Sequence, residues 1–252
     1  MTFNNRKPQK QGAHGVARVI SKRGYCSRSQ AEKLVREGHV TLRGKPVRDP
    51  ESPTYENDEI LVDGNKIESN AKVYFAMNKP RGILTTASDE KGRKTVMDLF
   101  REQFAKMFPG KPMPHIAPVG RLDAASEGLL LFTNDTQWAD EQLTSHTHKK
   151  IYRVQVSGKP TGEELAQMEK GFNVAPRVFG EKEEFMHAER VTLLSEGEKN
   201  CWLEFTLSEG KNREIRRMLA HLGYEVMRLM RIQFDKYVLG DLKPGEIKVI
   251  QT

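Results

Sequence analysis

Two cysteines in 252 residues, Cys26 and Cys201, exclude a disulfide framework and any structural zinc site built on four thiolates. No apolar stretch approaches the roughly 20 residues that a bilayer-spanning helix needs. Met1 to Gln11 is polar and basic, without an apolar segment of the signal-peptide kind, so secretion is not expected. Aromatics are 8% of the chain, and the AVILMFWYC fraction of 37% is modest. Apolar runs such as Leu129-Leu130-Leu131-Phe132 still recur, so a core can be buried and global disorder is excluded. What remains is a soluble, basic protein of a reducing compartment, expected in the cytoplasm. Its length suits one large domain, or a small one beside a medium one.

Where the charge sits says more than its total. The chain holds 41 Lys and Arg against 34 Asp and Glu, a net of +7. Residues 1–49 hold 12 of those bases and 3 of the acids, a net of +9, so residues 50–252 sum to −2. A basic block in an otherwise balanced chain is the footprint of a polyanion binder. The first 14 residues read more plainly as a basic disordered tail.

From Gly15 onward the block gains pattern. Val16, Val19 and Ile20 keep helical spacing, Gly24-Tyr25-Cys26 interrupts it, and Ser27 can cap a second helix through Ala31, Leu34 and Val35 that Gly38 ends. Val40-Thr41-Leu42, a Gly44-Lys45 turn and Ile60-Leu61-Val62 before Asp63-Gly64 read as short strands. Residues 65–72 are polar and read as a linker. Beyond them strand-like and helical segments alternate: Val73 to Met77, Gly82 to Thr86, Val96 to Phe104, Leu129 to Thr133 and Ile151 to Val156. Cys201 to Leu207 alternates apolar with polar as a half-buried antiparallel strand does. Ile215, Met218, Leu219 and Leu222 fall on one helix face. This is an α+β pattern around one large sheet.

Ser27-Arg28-Ser29-Gln30-Ala31-Glu32 and Gly38-His39-Val40-Thr41-Leu42-Arg43-Gly44-Lys45 together resemble the S4 RNA-binding domain. The resemblance implies a small α/β domain over residues 15–64, with Arg23, Arg28, Lys33, Arg36, Arg43 and Lys45 as phosphate contacts. It departs from the family at Gly15-Val16-Ala17-Arg18, where Arg-Leu-x-Lys is usual, and in the proline-rich Arg48 to Pro53.

The most informative stretch runs from Gly120-Arg121-Leu122-Asp123 through Ser126-Glu127-Gly128 into Leu129 to Asp135. A charged turn opening onto a continuous apolar strand puts Asp123 on a loop at the edge of a buried sheet. With Lys79-Pro80-x-Gly82 upstream, and Lys150-Ile151-Tyr152 and Glu209 to Met218 downstream, it resembles the pseudouridine synthases. The nearest type is the ribosomal small-subunit pseudouridine synthase A branch, which includes large-subunit enzymes. The resemblance implies a catalytic domain over residues 73–252, a mixed, mainly antiparallel sheet with flanking helices. It implies the isomerisation of a specific uridine in ribosomal RNA, naked or in an assembly particle; a monomer is the default expectation.

That reaction breaks N1–C1′, turns the base and makes C5–C1′. Nothing is oxidised and no group is gained, so no cofactor and no metal is expected. It needs one ionised carboxylate, a role the resemblance gives to Asp123, by addition at C6 or by the glycal route. A neighbouring arginine favours a carboxylate's charged form. Alignment puts that arginine at Arg216, with Arg213 and Arg217 as neighbours that could be confused with it. Tyr152 is either an ordinary strand aromatic or, as in the family, the ring that stacks on a base taken out of its helix. Lys150 steadies a phosphate or is a solvated strand-end lysine. Leu229 lines the base pocket or is plain core. Arg121, Arg213 and Arg217 complete the expected substrate contacts.

Other features carry less. His146 and His148 lack a third ligand at metal spacing. Gly120 to Gly128 lacks the spacing of a phosphate loop. Trp138 and Trp202 read as packing, and Phe104 to Pro114 as a proline-rich loop that could face RNA. The alternative function is a non-catalytic RNA-binding assembly factor on the same fold; the joint presence of Asp123, Tyr152 and Arg216 argues against it.

Overall fold

The computed structural model describes residues 13–252, except 87–88, 146 and 177–181. Residues 1–12 of the expected tail, and His146, lie outside the described residues. The chain divides into two compact units. One ends at Val73 and takes in Pro114–Ile116 and Asn134–Thr136; the other takes the remainder from Tyr74.

In the first unit, β1 (His14–Gly15) leads into α1 (Val16–Lys22) and α2 (Arg28–Glu37). The strands β2 (Val40–Leu42), β3 (Lys45–Val47), β4 (Pro53–Thr54), β5 (Ile60–Val62) and β6 (Asn65–Lys66) follow. Ser27 opens α2 with a capping box: its hydroxyl accepts the Gln30 N–H at 3.2 Å, and the Gln30 side chain accepts the Ser27 N–H at 3.0 Å. Gly38 closes the helix in the left-handed conformation. The sheet runs β3-β2-β5-β6, all antiparallel, and its Val40, Leu42, Ile60 and Val62 pack with Val16, Val19, Ile20, Ala31 and Val35.

Two expectations shift here. Arg43 and Gly44, both at positive φ as a tight two-residue hairpin requires, make the turn after β2, so Lys45 is a strand residue. Residues 65–67 are not linker, because Asn65–Lys66 pairs with β5 and Ile67 is buried in the same core.

The second unit begins with β7 (Tyr74–Lys79), α3 (Val96–Met107), β8 (Ala117–Val119), β9 (Glu127–Thr133), α4 (Thr136–Thr144) and β10 (Lys150–Ser157). It continues with α5 (Gly162–Lys170), β11 (Phe172–Val174), β12 (Glu184–Met186), β13 (Arg190–Glu196), β14 (Asn200–Leu207) and α6 (Glu214–His221). It ends with β15 (Val226–Phe234), β16 (Tyr237–Val238) and β17 (Ile247–Val249).

Nine of these strands form one sheet, ordered β13-β14-β10-β15-β9-β7-β17, with β16 on β15 and β8 on β9. Every pairing in it is antiparallel except β15 with β9. All of β9 is buried, which is why it reads as an unbroken apolar run rather than an alternation. The architecture is α+β, with helices flanking a mixed, mainly antiparallel sheet. Residues 82–86 are not a strand: apart from a bridge from Leu84 to Thr95, that segment serves the loop that carries Asp123. Phe104 belongs to α3, where its ring packs against Phe75 and Phe108, so it is core rather than RNA-facing loop.

Candidate active site

Asp123 lies on the connection between β8 and β9, as the charged turn before an apolar strand implied. Lys79, at the end of β7, is fully buried. Its ammonium donates to the carbonyls of Ser126 at 2.8 Å, Asp123 at 3.1 Å and Pro80 at 3.2 Å. Burial lowers this lysine to about 8, against the opposing pull of the Asp123 and Glu127 charges. Thr85 donates its hydroxyl to Leu122 O at 2.7 Å, and the Gly82 N–H donates to Ala124 O at 2.7 Å. The Arg216 guanidinium donates to Ala125 O at 3.1 Å and Val226 O at 3.2 Å. The backbone from Leu122 to Ser126 is thus held at every residue, which leaves the Asp123 carboxylate free of structural duty.

That carboxylate meets Arg213, with Nη1 2.9 Å from Oδ2. Arg213 is the N-cap of α6 and sits at φ 52°, ψ 33°, a left-handed conformation that long L side chains seldom adopt. Its turn is braced locally. The Lys211 N–H donates to the buried Glu214 carboxylate at 3.2 Å, and the Lys150 ammonium donates to Glu209 O at 3.3 Å. Burial pushes the Glu214 carboxyl up, and burial together with the Arg231 charge pushes Lys150 down.

A cleft of about 500 Å³ opens over Asp123, lined by Arg121, Lys150, Tyr152, Arg213, Arg216 and Leu229 among others. Tyr152 of β10 lies opposite Phe205 of β14 and Arg231 of β15. Lys150 and Arg231 both stand over the Phe234 ring, 5.3 and 5.0 Å from its centroid. Lys150 is buried, so it is not a solvated strand-end lysine.

Three assignments need correction. Arg213, not Arg216, donates to the carboxylate; Arg216 lines the same cleft and feels the Asp123 charge, but its terminal nitrogens donate to the Ala125 and Val226 carbonyls. Arg217 does not reach the cleft: it pairs with Glu184 and donates to Ala175 O at 3.3 Å. Arg23 is no phosphate contact. It is buried and donates to the carbonyls of Ile67 at 2.9 Å, Glu56 at 2.8 Å and Asp58.

The remaining cations of the first unit, Arg28, Lys33, Arg36, Arg43 and Lys45, are exposed, and the first four also contact acidic neighbours. Sequence reasoning missed the roles of Lys79, Glu214 and Arg231. A lysine ending an apolar strand just before proline is the signal that could have found the first. Among the described residues no three His, Cys, Asp or Glu side chains come together as a metal set, and no helix is long and apolar enough to cross a membrane.

The RNA pseudouridylate synthase family model matches residues 73–221, more than half of the chain. This chain belongs to that family. The S4 domain model matches residues 16–60, so the synthase carries an N-terminal RNA-binding domain. It is similar to the ribosomal large subunit pseudouridine synthase B of Bacillus subtilis, 34% identical over 92% of this chain and 90% of the relative. An uncharacterised RNA pseudouridine synthase of Rickettsia conorii is 36% identical over 95% of this chain and 97% of the relative. Among solved structures, a pseudouridylate synthase superposes with a TM-score of 0.60 at 26% identity, covering 94% and 96% of the two chains. The reaction is therefore uridine isomerisation in RNA.

Proposed function

We propose that the synthase acts on a uridine of ribosomal RNA, with Asp123 as the carboxylate that works on the nucleotide. One observation carries the reading. Asp123 is the cleft carboxylate whose loop is fixed at Leu122, Asp123 and Ala124 by Thr85, Lys79 and Gly82, while its side chain, among the described residues, pairs with the exposed Arg213. A carboxylate placed in advance has no reorganisation to undergo when the base arrives. The name of the Bacillus subtilis relative supports a ribosomal substrate.

In this reading the uridine leaves its helix and its base enters the cleft against Tyr152, with Leu229 at the pocket wall. Asp123 acts at the junction of sugar and base, through C6 addition or through glycal formation. N1–C1′ breaks, the base turns, and C5–C1′ forms. The C5 proton leaves and N1 gains one, so atoms and charge balance without a co-reactant. Arg213 orients the carboxylate, while the exposed Arg121 beside it meets the backbone of the displaced nucleotide. Arg28, Lys33, Arg36, Arg43 and Lys45 engage phosphates of a neighbouring RNA element.

The test is tritium release from ribosomal RNA labelled at uridine C5, offered both naked and as assembly particles. The wild type should release tritium from at least one of these. Asp123→Asn should be slower by about a hundredfold or more with RNA binding retained. Tight binding without release from either substrate by the wild type would move the assignment to a non-catalytic assembly factor.

A further inference from the structure

Phe185 lies in the middle of β12 and is 50% exposed. A lone exposed apolar side chain needs no explanation; what distinguishes this one is how it is held. Its ring lies over Gly171, where an added Cβ would come within 2.4 Å of Phe185 Cζ and 2.8 Å of His187 Cβ. Only glycine fits there, and its φ of 84° also suits glycine. The His187 ring stands 6.0 Å from the Phe185 ring, tilted by 30°.

The strand beneath the ring is tied to the wall of the cleft. Lys211, which lines the cleft, donates its ammonium to Phe185 O at 2.9 Å and pairs with Glu209 at 2.7 Å. From α6, Arg217 pairs with Glu184, the residue before Phe185. The strand that carries the ring is therefore tied to the same short loop that carries Arg213, the partner of Asp123.

We propose that Phe185 is a stacking platform for an unpaired nucleobase flanking the target uridine, a subsite distinct from the base pocket at Tyr152. The inference rests on the RNA-modifying reading above and extends it. A strand entering the cleft must unstack around the displaced uridine, and its neighbouring bases lose a partner. An exposed aromatic face on a strand tied to the cleft-lining Lys211 offers a replacement partner. Beside the ring Arg217 meets the Glu184 charge, and the exposed Arg213 and Arg121 in the cleft supply positive charge for the phosphates on that side of the flanking base. An apolar protein side chain would find no use for this charge, which is why the occupant is assigned to the substrate itself.

The experiment uses the full chain and a ribosomal RNA fragment that the wild type modifies. Abasic nucleotides are scanned over three positions on each side of the target. Phe185→Ala should raise KM by about fivefold to a hundredfold with a much smaller change in kcat. Phe185→Trp should restore it, and Phe185→Leu should not. At one flanking position an abasic nucleotide should cost the wild type a similar factor and cost Phe185→Ala little more. Leu194→Ala, which removes another exposed side chain, controls for lost apolar surface.

Equal KM for the wild type and Phe185→Ala overturns the platform, as does an abasic penalty that is the same in both at every position. A KM rise that no abasic position mimics assigns the ring to something other than a flanking base and overturns it as well. If the wild type releases no tritium from any ribosomal RNA, the functional reading fails first and the subsite falls with it.

Discussion

Arg213 and Arg216 stand three residues apart on the start of α6, yet their surroundings give them opposite duties. The Arg213–Asp123 pair is more than one third exposed on both sides, so its direct worth to stability is below about 1 kcal/mol. In the proposed function its value is in orienting the carboxylate, and its left-handed backbone is the kind of strained conformation that clusters at functional sites. Arg216 donates to the Ala125 carbonyl on the Asp123 loop and to the Val226 carbonyl at the start of β15, and leaving those unpaired costs about 1–3 kcal/mol each. Arg213→Gln should therefore lower kcat/KM by about tenfold or more with little change in urea midpoint. Arg216→Met should lower the midpoint as well as the rate. Parallel urea titration and single-turnover tritium release decide it, and the reverse pattern would return the orienting role to Arg216. Sequence alignment pointed to Arg216 because it reports motif position. Which of two nearby guanidinia is already occupied depends on carbonyls contributed by residues about ninety positions away or just beyond the helix.

At the scale of elements, β7, β9 and β15 form the frame that sets the loop. The parallel pairing of β15 with β9 brings Arg231 O to 2.3 Å from where a Cβ at Gly128 would stand, so only glycine permits this strand contact. The end of β7 delivers Lys79 to three carbonyls, and that geometry has a pH signature. Lys79 falls to about 8 in the fold against an ordinary 10.5. Between those values the unfolded chain binds more protons than the folded one, so stability rises with pH. From pH 8 to 10 the wild type should gain about 1–3 kcal/mol relative to Lys79→Met in urea titrations. Parallel pH profiles for the two proteins would place the Lys79 charge outside the folding balance.

Elements with a clear period were legible: α2 with its Ser27 cap and Gly38 stop, β9 as an apolar run, β14 by alternation. β15 was used only for Leu229, because arginines at 228 and 231 disguise a strand whose charges are met by Glu127 and by Leu129 O. α5 was missed although Thr161 and Glu164 spell a capping box.

Across the whole molecule, the division of charge was legible before any coordinate, since a +9 block followed by a −2 remainder needs only counting. Which cations of that block face an RNA was not, because burial is a tertiary property. Arg23 shares its composition and neighbourhood with Arg28, yet it ties three carbonyls inside the first unit while Arg28 stays exposed. The two should separate in measurement. Arg23→Met should destabilise the protein by about 3 kcal/mol through the carbonyls it strands. Arg28→Gln, Lys33→Gln and Arg36→Gln together, all exposed, should leave stability within about 1 kcal/mol. The triple variant should bind ribosomal RNA more weakly, and its log K against log salt slope should become shallower by about two to three. Its kcat at saturating RNA should hold, because none of the three residues belongs to the unit that contains Asp123. An unchanged salt slope would mean that the basic block of the first unit does not carry the phosphate contacts, whatever its net charge.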